Sequence, residues 1–107
     1  MNFTVQQIAQ EYKKELQKFY GSNLAELILF GSYAGGDQRN ESDVDFAVVL
    51  RNSDKKTSSE IFNTSKIASR LSLKYGLMIS SLPVSMQKKT NSLQGVYKSI
   101  REEGVVI

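Results

Sequence analysis

The stretch "LILFGSYAGGDQRNESDVDFAVVL", residues 27–50, carries two apolar runs around a polar segment. It opens on an apolar run that stops at Gly31, passes through a polar segment, and re-enters an apolar run carrying Asp43 and Asp45. Successive side chains of an extended strand alternate faces, so the two aspartates project to one side while Val44 and Phe46 project to the other. Carboxylates that close repel, and burying either one without a counter-charge is costly. A divalent cation held by oxygens offsets that cost, and the pair is a ready ligand set for one. Taken alone, Asp-x-Asp is a frequent chance pattern that equally describes two hydrated acids at an exposed strand start. Gly31-Ser32 narrows the choice. Backbone N–H groups at a turn after a strand, together with a serine hydroxyl, cradle phosphate oxygens, and glycine permits close approach. The combination puts a phosphate-binding turn and metal-binding carboxylates at the ends of neighbouring strands.

Outward from this stretch, helices and strands alternate. Thr4 with Gln7 forms a capping-box pattern, and Val5, Ile8, Ala9, Tyr12, Leu16, Phe19 and Tyr20 recur at helical spacing. A first helix is therefore expected over residues 5–20, ended by Gly21. "LAELILF" (24–30) and "VDFAVVL" (44–50) read as buried strands. Thr57 with Glu60 opens a second main helix that carries Ile61, Phe62, Ala68, Leu71 and Tyr75 and stops at Gly76. "LMISSLPV" (77–84) reads as a third strand, with Pro83 near its end. Asn91 with Gln94 caps a last helix whose apolar face is Leu93, Val96, Tyr97 and Ile100, and "VVI" after Gly104 forms a short terminal strand. The class is α/β or mixed α+β around a small sheet, as one domain over residues 1–107.

Composition bounds the chemistry. The 107 residues include no cysteine and no histidine, which excludes disulfides, thiolate metal sites and every Ser-His-Asp scheme. What remains is carboxylates, lysines, hydroxyls and backbone groups, and carboxylates suit hard cations such as magnesium. The formal charge of +3 comes from scattered lysine pairs (Lys13/Lys14, Lys55/Lys56, Lys88/Lys89), which read as solvated surface. Apolar runs are too short to span a bilayer, and no signal peptide opens the chain, so a cytoplasmic location is expected.

Gly31-Ser32, ten residues, then Asp43-x-Asp45 resembles the GS-x10-DxD pattern of the DNA polymerase β-like nucleotidyltransferases. The flanks "LILFGSYAGG" and "SDVDFAVVL" are similar to the minimal nucleotidyltransferase (MNT) group, and the likeness extends over nearly the whole chain. That resemblance implies a small mixed sheet flanked by helices, Mg²⁺ in a two-metal site, and a nucleoside triphosphate such as ATP. Gly31 and Ser32 would bind the terminal phosphates, and Asp43 and Asp45 would ligate the metal and act as the catalytic carboxylates. MNT proteins commonly pair with HEPN-domain toxins, and the resemblance implies an antitoxin that attaches AMP to a tyrosine of such a partner.

Two departures qualify what the resemblance implies. The usual "GSYARG" reads "GSYAGG", so Gly35 stands where an arginine neutralises phosphate, with Arg39 or a lysine as the substitute. Many relatives carry a third carboxylate on the strand after the main helix; here Ser80 or Ser81 holds that position, and sequence alone leaves the register open. Serine is neither an anionic ligand nor a useful general base at neutral pH. The alternative is a catalytically weak nucleotide-binding antitoxin that neutralises its HEPN partner by binding alone. Direct nucleic-acid binding has no dedicated motif, and nucleotidylation of a small molecule would need an added substrate domain.

Overall fold

The computed structural model describes residues 3–31, 43–52 and 57–107. In chain order these form helix α1 (Phe3–Tyr20), a 3-10 turn at Gly21–Asn23, strands β1 (Leu24–Phe30) and β2 (Val44–Leu50), and helix α2 (Thr57–Tyr75). Strand β3 (Ile79–Ser85), helices α3 (Met86–Asn91) and α4 (Gly95–Glu103), and strand β4 (Val105–Val106) follow. Among the described residues the four strands make one sheet in the order β3-β2-β1-β4. β1 runs antiparallel to β2 and to β4, whereas β2 and β3 are parallel. The mixed sheet with flanking helices is the expected class.

Alternation along β2 divides the core in two. Val44, Phe46, Val48 and Leu50 pack with Ile8, Tyr12 and Leu16 of α1 and with Ile67, Ala68 and Leu71 of α2. Ala47 and Val49 face the other way, into a smaller cluster with Ile28, Val84 and Ile100. Tyr12 lies against Phe46 with ring centroids 5.3 Å apart, and its hydroxyl donates to the Thr64 carbonyl at 3.1 Å. That bond satisfies the polar tip of an otherwise apolar ring, and burial pushes the phenol's pKa well up.

Three polar devices set the strand ends. The Asn23 side chain donates to the Asn52 carbonyl and accepts from the Asn52 N–H, which ties the start of β1 to the end of β2. At the entry to β3, Ser72 Oγ accepts the Ile79 N–H at 3.0 Å and donates to the Ala68 carbonyl, while Val44 N–H donates to the Met78 carbonyl at 2.9 Å. These bonds pin β3 beside β2 in a single register. Pro83 is tolerated because β3 is an edge strand of this sheet. At Gly104 a side chain would collide with Ile28 Cγ2 and stand 2.5 Å from the Ile100 carbonyl oxygen, so glycine lets α4 turn tightly into β4.

Several sequence expectations are corrected. α1 and α2 begin at Phe3 and Thr57, so Thr4 and Thr57 lie within the first turns instead of preceding them; their side chains are outside the described part. The third strand starts two residues late, at Ile79, because the Ser72 bond holds the chain until there. Asn91 does not cap the last helix: it ends α3, a short helix absent from the sequence reading and capped by Ser85 Oγ, which accepts the Lys88 N–H. Gln94 precedes α4 without a side-chain cap, and Leu93 is exposed in the connection instead of packing on the helix face. Phe19, Ile61 and Phe62 share the helical spacing of the core but are exposed, since they fall on the outer sides of α1 and α2.

Glu11 joins the two main helices, accepting from Tyr75 Oη at 2.6 Å and from Lys74 Nζ at 2.9 Å. The Tyr75 hydrogen bond and then the Lys74 ammonium hold its carboxyl below the ordinary value of 4.5. A depressed carboxylate pKa contributes stability that is present above the unfolded-state value and is lost as pH falls through the folded value. Urea titrations of native protein and Glu11→Gln should therefore diverge near neutrality and converge in acid. The gap is expected to be small because the pair is solvent-screened.

Candidate functional site

The antiparallel and parallel registers meet at Asp45. It is the Cα partner of Phe30 on β1 and of Ser80 on β3, so the three side chains form a row on one face of the sheet. This face carries Ala47, Val49 and Ile28 further along, where α4 covers it through Ile100. Asp45 is half-buried; Asp43, just ahead of β2, is exposed. Burial first, and then the negative charge of Asp43, raise the Asp45 carboxyl above its ordinary value. The charge of Asp43 thus reaches Asp45 from just ahead of the strand.

Gly31 closes the site on the β1 side. Its φ of +80° lies in the left-handed region, and a Cβ there would stand 2.5 Å from Asp45 Oδ2. Glycine is required twice over, for the turn and for the space beside the carboxylate. Gly31, Asp43 and Asp45 are thereby brought together. Ser32, Gly35 and Arg39 lie outside the described residues.

The structure also resolves the serine ambiguity. Ser80 is the neighbour of Asp45 on the carboxylate face, whereas Ser81 pairs with Phe46 and turns its hydroxyl into the α1/α2 side beside the Tyr12 hydroxyl. Phe30, not singled out from the sequence, flanks Asp45 opposite Ser80; only the pairing of β1 with β2 reveals this. Lys89, read from sequence as solvated, instead holds Glu26 at 2.8 Å, and its carbonyl accepts from Arg101. It fastens α3 to β1.

The donor set suits a hard cation. Two carboxylates whose mutual repulsion a positive charge would relieve, next to a glycine, match the way magnesium is held by one or two acids plus substrate phosphates. No group of three acidic, histidine or cysteine side chains capable of holding a metal occurs among the described residues. No helix among the described residues is long and apolar enough to cross a membrane.

Comparison with known proteins gives the family. The chain belongs to the nucleotidyltransferase domain family, whose model matches residues 9–107, and it is a nucleotidyltransferase. It is 39% identical over 90 residues to the protein of Methanocaldococcus jannaschii named "Putative protein adenylyltransferase MJ0141", covering 84% of this chain and 89% of the relative. Its fold is similar to a chain of a toxin-antitoxin crystallised with AMP-PNP (TM-score 0.59, 20% identity, 91% of this chain and 70% of that one). It is also similar to a structure described as a "putative minimal nucleotidyltransferase" (TM-score 0.62, 14% identity, 96% and 95% coverage).

Two outcomes follow from the site's packing. Ser81→Asp buries a carboxylate against Tyr12 and Phe46 and should lower stability by roughly 3–5 kcal/mol, the cost typical of an uncompensated buried charge. Ser80→Asp places the same group at the open carboxylate row and should cost far less. Urea melts of the two variants, run side by side, check the assignment of faces.

Proposed function

We propose that this nucleotidyltransferase is a protein adenylyltransferase that moves AMP from Mg-ATP to a tyrosine of a HEPN-type toxin, as the antitoxin of the pair. The observation that carries the reading is the half-buried Asp45, set against Gly31 and within electrostatic reach of Asp43. The identity with a protein named an adenylyltransferase supports the reaction class, and the fold shared with a toxin-antitoxin chain supports the setting.

In this reading the acceptor tyrosine oxygen forms a bond to the α-phosphorus of ATP. The bond from that phosphorus to the bridging oxygen breaks, and pyrophosphate leaves. Asp43 and Asp45 would hold Mg²⁺, which when bound supplies positive charge to the triphosphate and to the departing pyrophosphate. Gly31, with no side chain, leaves the backbone free to approach the terminal phosphates, and Ser32 adds a hydroxyl donor. Ser80, beside Asp45, is neutral and takes no proton at pH 7. The tyrosine proton therefore passes to a phosphate oxygen, to water or to a group of the partner. Transfer is accordingly slow with a generic acceptor.

The same serine favours a second reading, in which the chain binds nucleotide and neutralises its partner without transfer. Radiolabelled ATP incubated with the cognate toxin separates the two: label on a toxin tyrosine supports the first, and neutralisation without label supports the second. Calorimetry with Mg-ATP should show binding that Asp43→Asn or Asp45→Asn greatly weakens. Unchanged binding in both variants would remove the metal-site assignment.

Gly31→Val should weaken triphosphate binding severely, while Ser32→Ala should weaken it by about 1 kcal/mol, the worth of one neutral hydrogen bond. Ser80→Asp should raise the transfer rate, since general-base assistance typically contributes roughly 10²–10⁴-fold. A native protein that transfers rapidly, and a Ser80→Asp variant that is slower, would show that this position does not limit the reaction.

A further inference from the structure

The outer side of α2 carries a feature that the carboxylate site does not use. Ile61 and Phe62 at one end and Leu73 at the other, with Ser65 and Ser69 between them and Lys66 and Arg70 alongside, line a shallow groove of about 710 Å³ on one side of the helix. The apolar members are strongly exposed: Ile61 at 47%, Phe62 at 65% and Leu73 at 87%. A second hollow of about 340 Å³ adjoins it between α1 and α2, shares Phe62, Lys66 and Arg70, and adds Phe19, itself 56% exposed. Scattered exposed apolar side chains are ordinary, but several gathered along one groove and bordered by charges mark a contact surface.

The charges select the occupant. Lys66 and Arg70 form no ion pair or hydrogen bond among the described residues; Glu15, which shares their hollow, is held by Lys18, and Lys74 is held by Glu11. Lys66 and Arg70 stand one helical turn apart, about 6 Å along the axis, within a groove from Ile61 to Leu73 of about 18 Å. A second copy of this chain docked about a two-fold axis would set these cations against their own counterparts, which repel. A nucleic acid would find two free cations among aliphatic side chains, a poor match for a row of phosphates. A helix with an apolar face and carboxylates one turn apart satisfies both the apolar and the cationic side chains of the groove, with Phe62 as the anchor.

The geometry points to this face as the docking site for an acidic amphipathic helix of a partner protein. It lies on the far side of the α1/α2 layer from Asp45, whose side chain is on the opposite face of the sheet. A partner held here leaves the carboxylate row open. The inference stands on the groove alone and does not depend on the reaction proposed for that row.

The test is selection from a phage-displayed library of helix-forming peptides of about 16 residues, roughly 24 Å of helix, on the native protein. Affinities of the recovered peptides are then measured by fluorescence anisotropy. The expected consensus has apolar residues at i, i+3, i+4 and i+7 with Asp or Glu one turn apart on the flank. Phe62→Ser and the double variant Lys66→Glu/Arg70→Glu should each weaken binding at least about tenfold, a change of about 1.4 kcal/mol, while melting like native and retaining Mg-ATP affinity. Peptides without acids, or binding indifferent to both variants, would overturn the proposal. So would oligo(U) binding that the double variant abolishes, or a native dimer in sedimentation equilibrium that Phe62→Ser dissociates.

Discussion

β2 is covered on both faces, and Asp45 is the one charged side chain along it. Everything at the site depends on the two-residue alternation of that strand. Val44, Phe46, Val48 and Leu50 must meet α1 and α2, because their burial is the main apolar contribution to the fold. Asp45 is then compelled to the other face, and a shift of one residue would carry the carboxylate into the core and Phe46 out of it. The cost of holding a half-buried acid next to a second one is thus fixed by the same pattern that stabilises the domain.

The neighbouring strands turn that one side chain into a site. β1 contributes the glycine turn, placed against the carboxylate by the Phe30–Asp45 pairing, and β3 contributes Ser80 by the Asp45–Ser80 pairing. Neither strand is free to slide. The Asn23–Asn52 bonds lock the far end of the β1–β2 pair, and the Ser72 hydroxyl with the Val44–Met78 bond locks the start of β3. A rigid frame of this kind suits a reaction in which the protein contributes positioning and charge more than covalent chemistry. The helical layer meanwhile serves two purposes: its inner side forms the core, and its outer side leaves an apolar, cationic groove uncovered.

Much of this was legible in residues 27–50. Apolar runs of seven residues bounded by glycine and polar segments locate β1 and β2 to the residue, and Gly21 and Gly76 end the helices where expected. The resemblance carried by Gly31-Ser32 and Asp43-x-Asp45 led to the family that the comparisons show. Less was legible beyond β3. The Asn91–Gln94 pattern looks like a capping box, yet Ser85 starts a short helix first, because a serine at the end of an edge strand can cap whatever follows. Phe19, Ile61 and Phe62 fit a helical period, but a period does not reveal how wide a stripe the sheet can cover.

The alternation of β2, the glycine that precedes the two acids at a fixed spacing, and the absence of histidine and cysteine chemistry follow from residue type and spacing, which are local properties. Tertiary structure alone decided which serine stands beside Asp45. In "ISSLPVS" both neighbours are small and polar, so hydrophobic pattern carries no parity, and only the hydrogen bonds from Ser72 and Val44 choose it. It also decided that Lys89 is a fastening for Glu26 and that Phe62 faces solvent. Both depend on the distance between elements far apart in the chain, which local spacing does not encode.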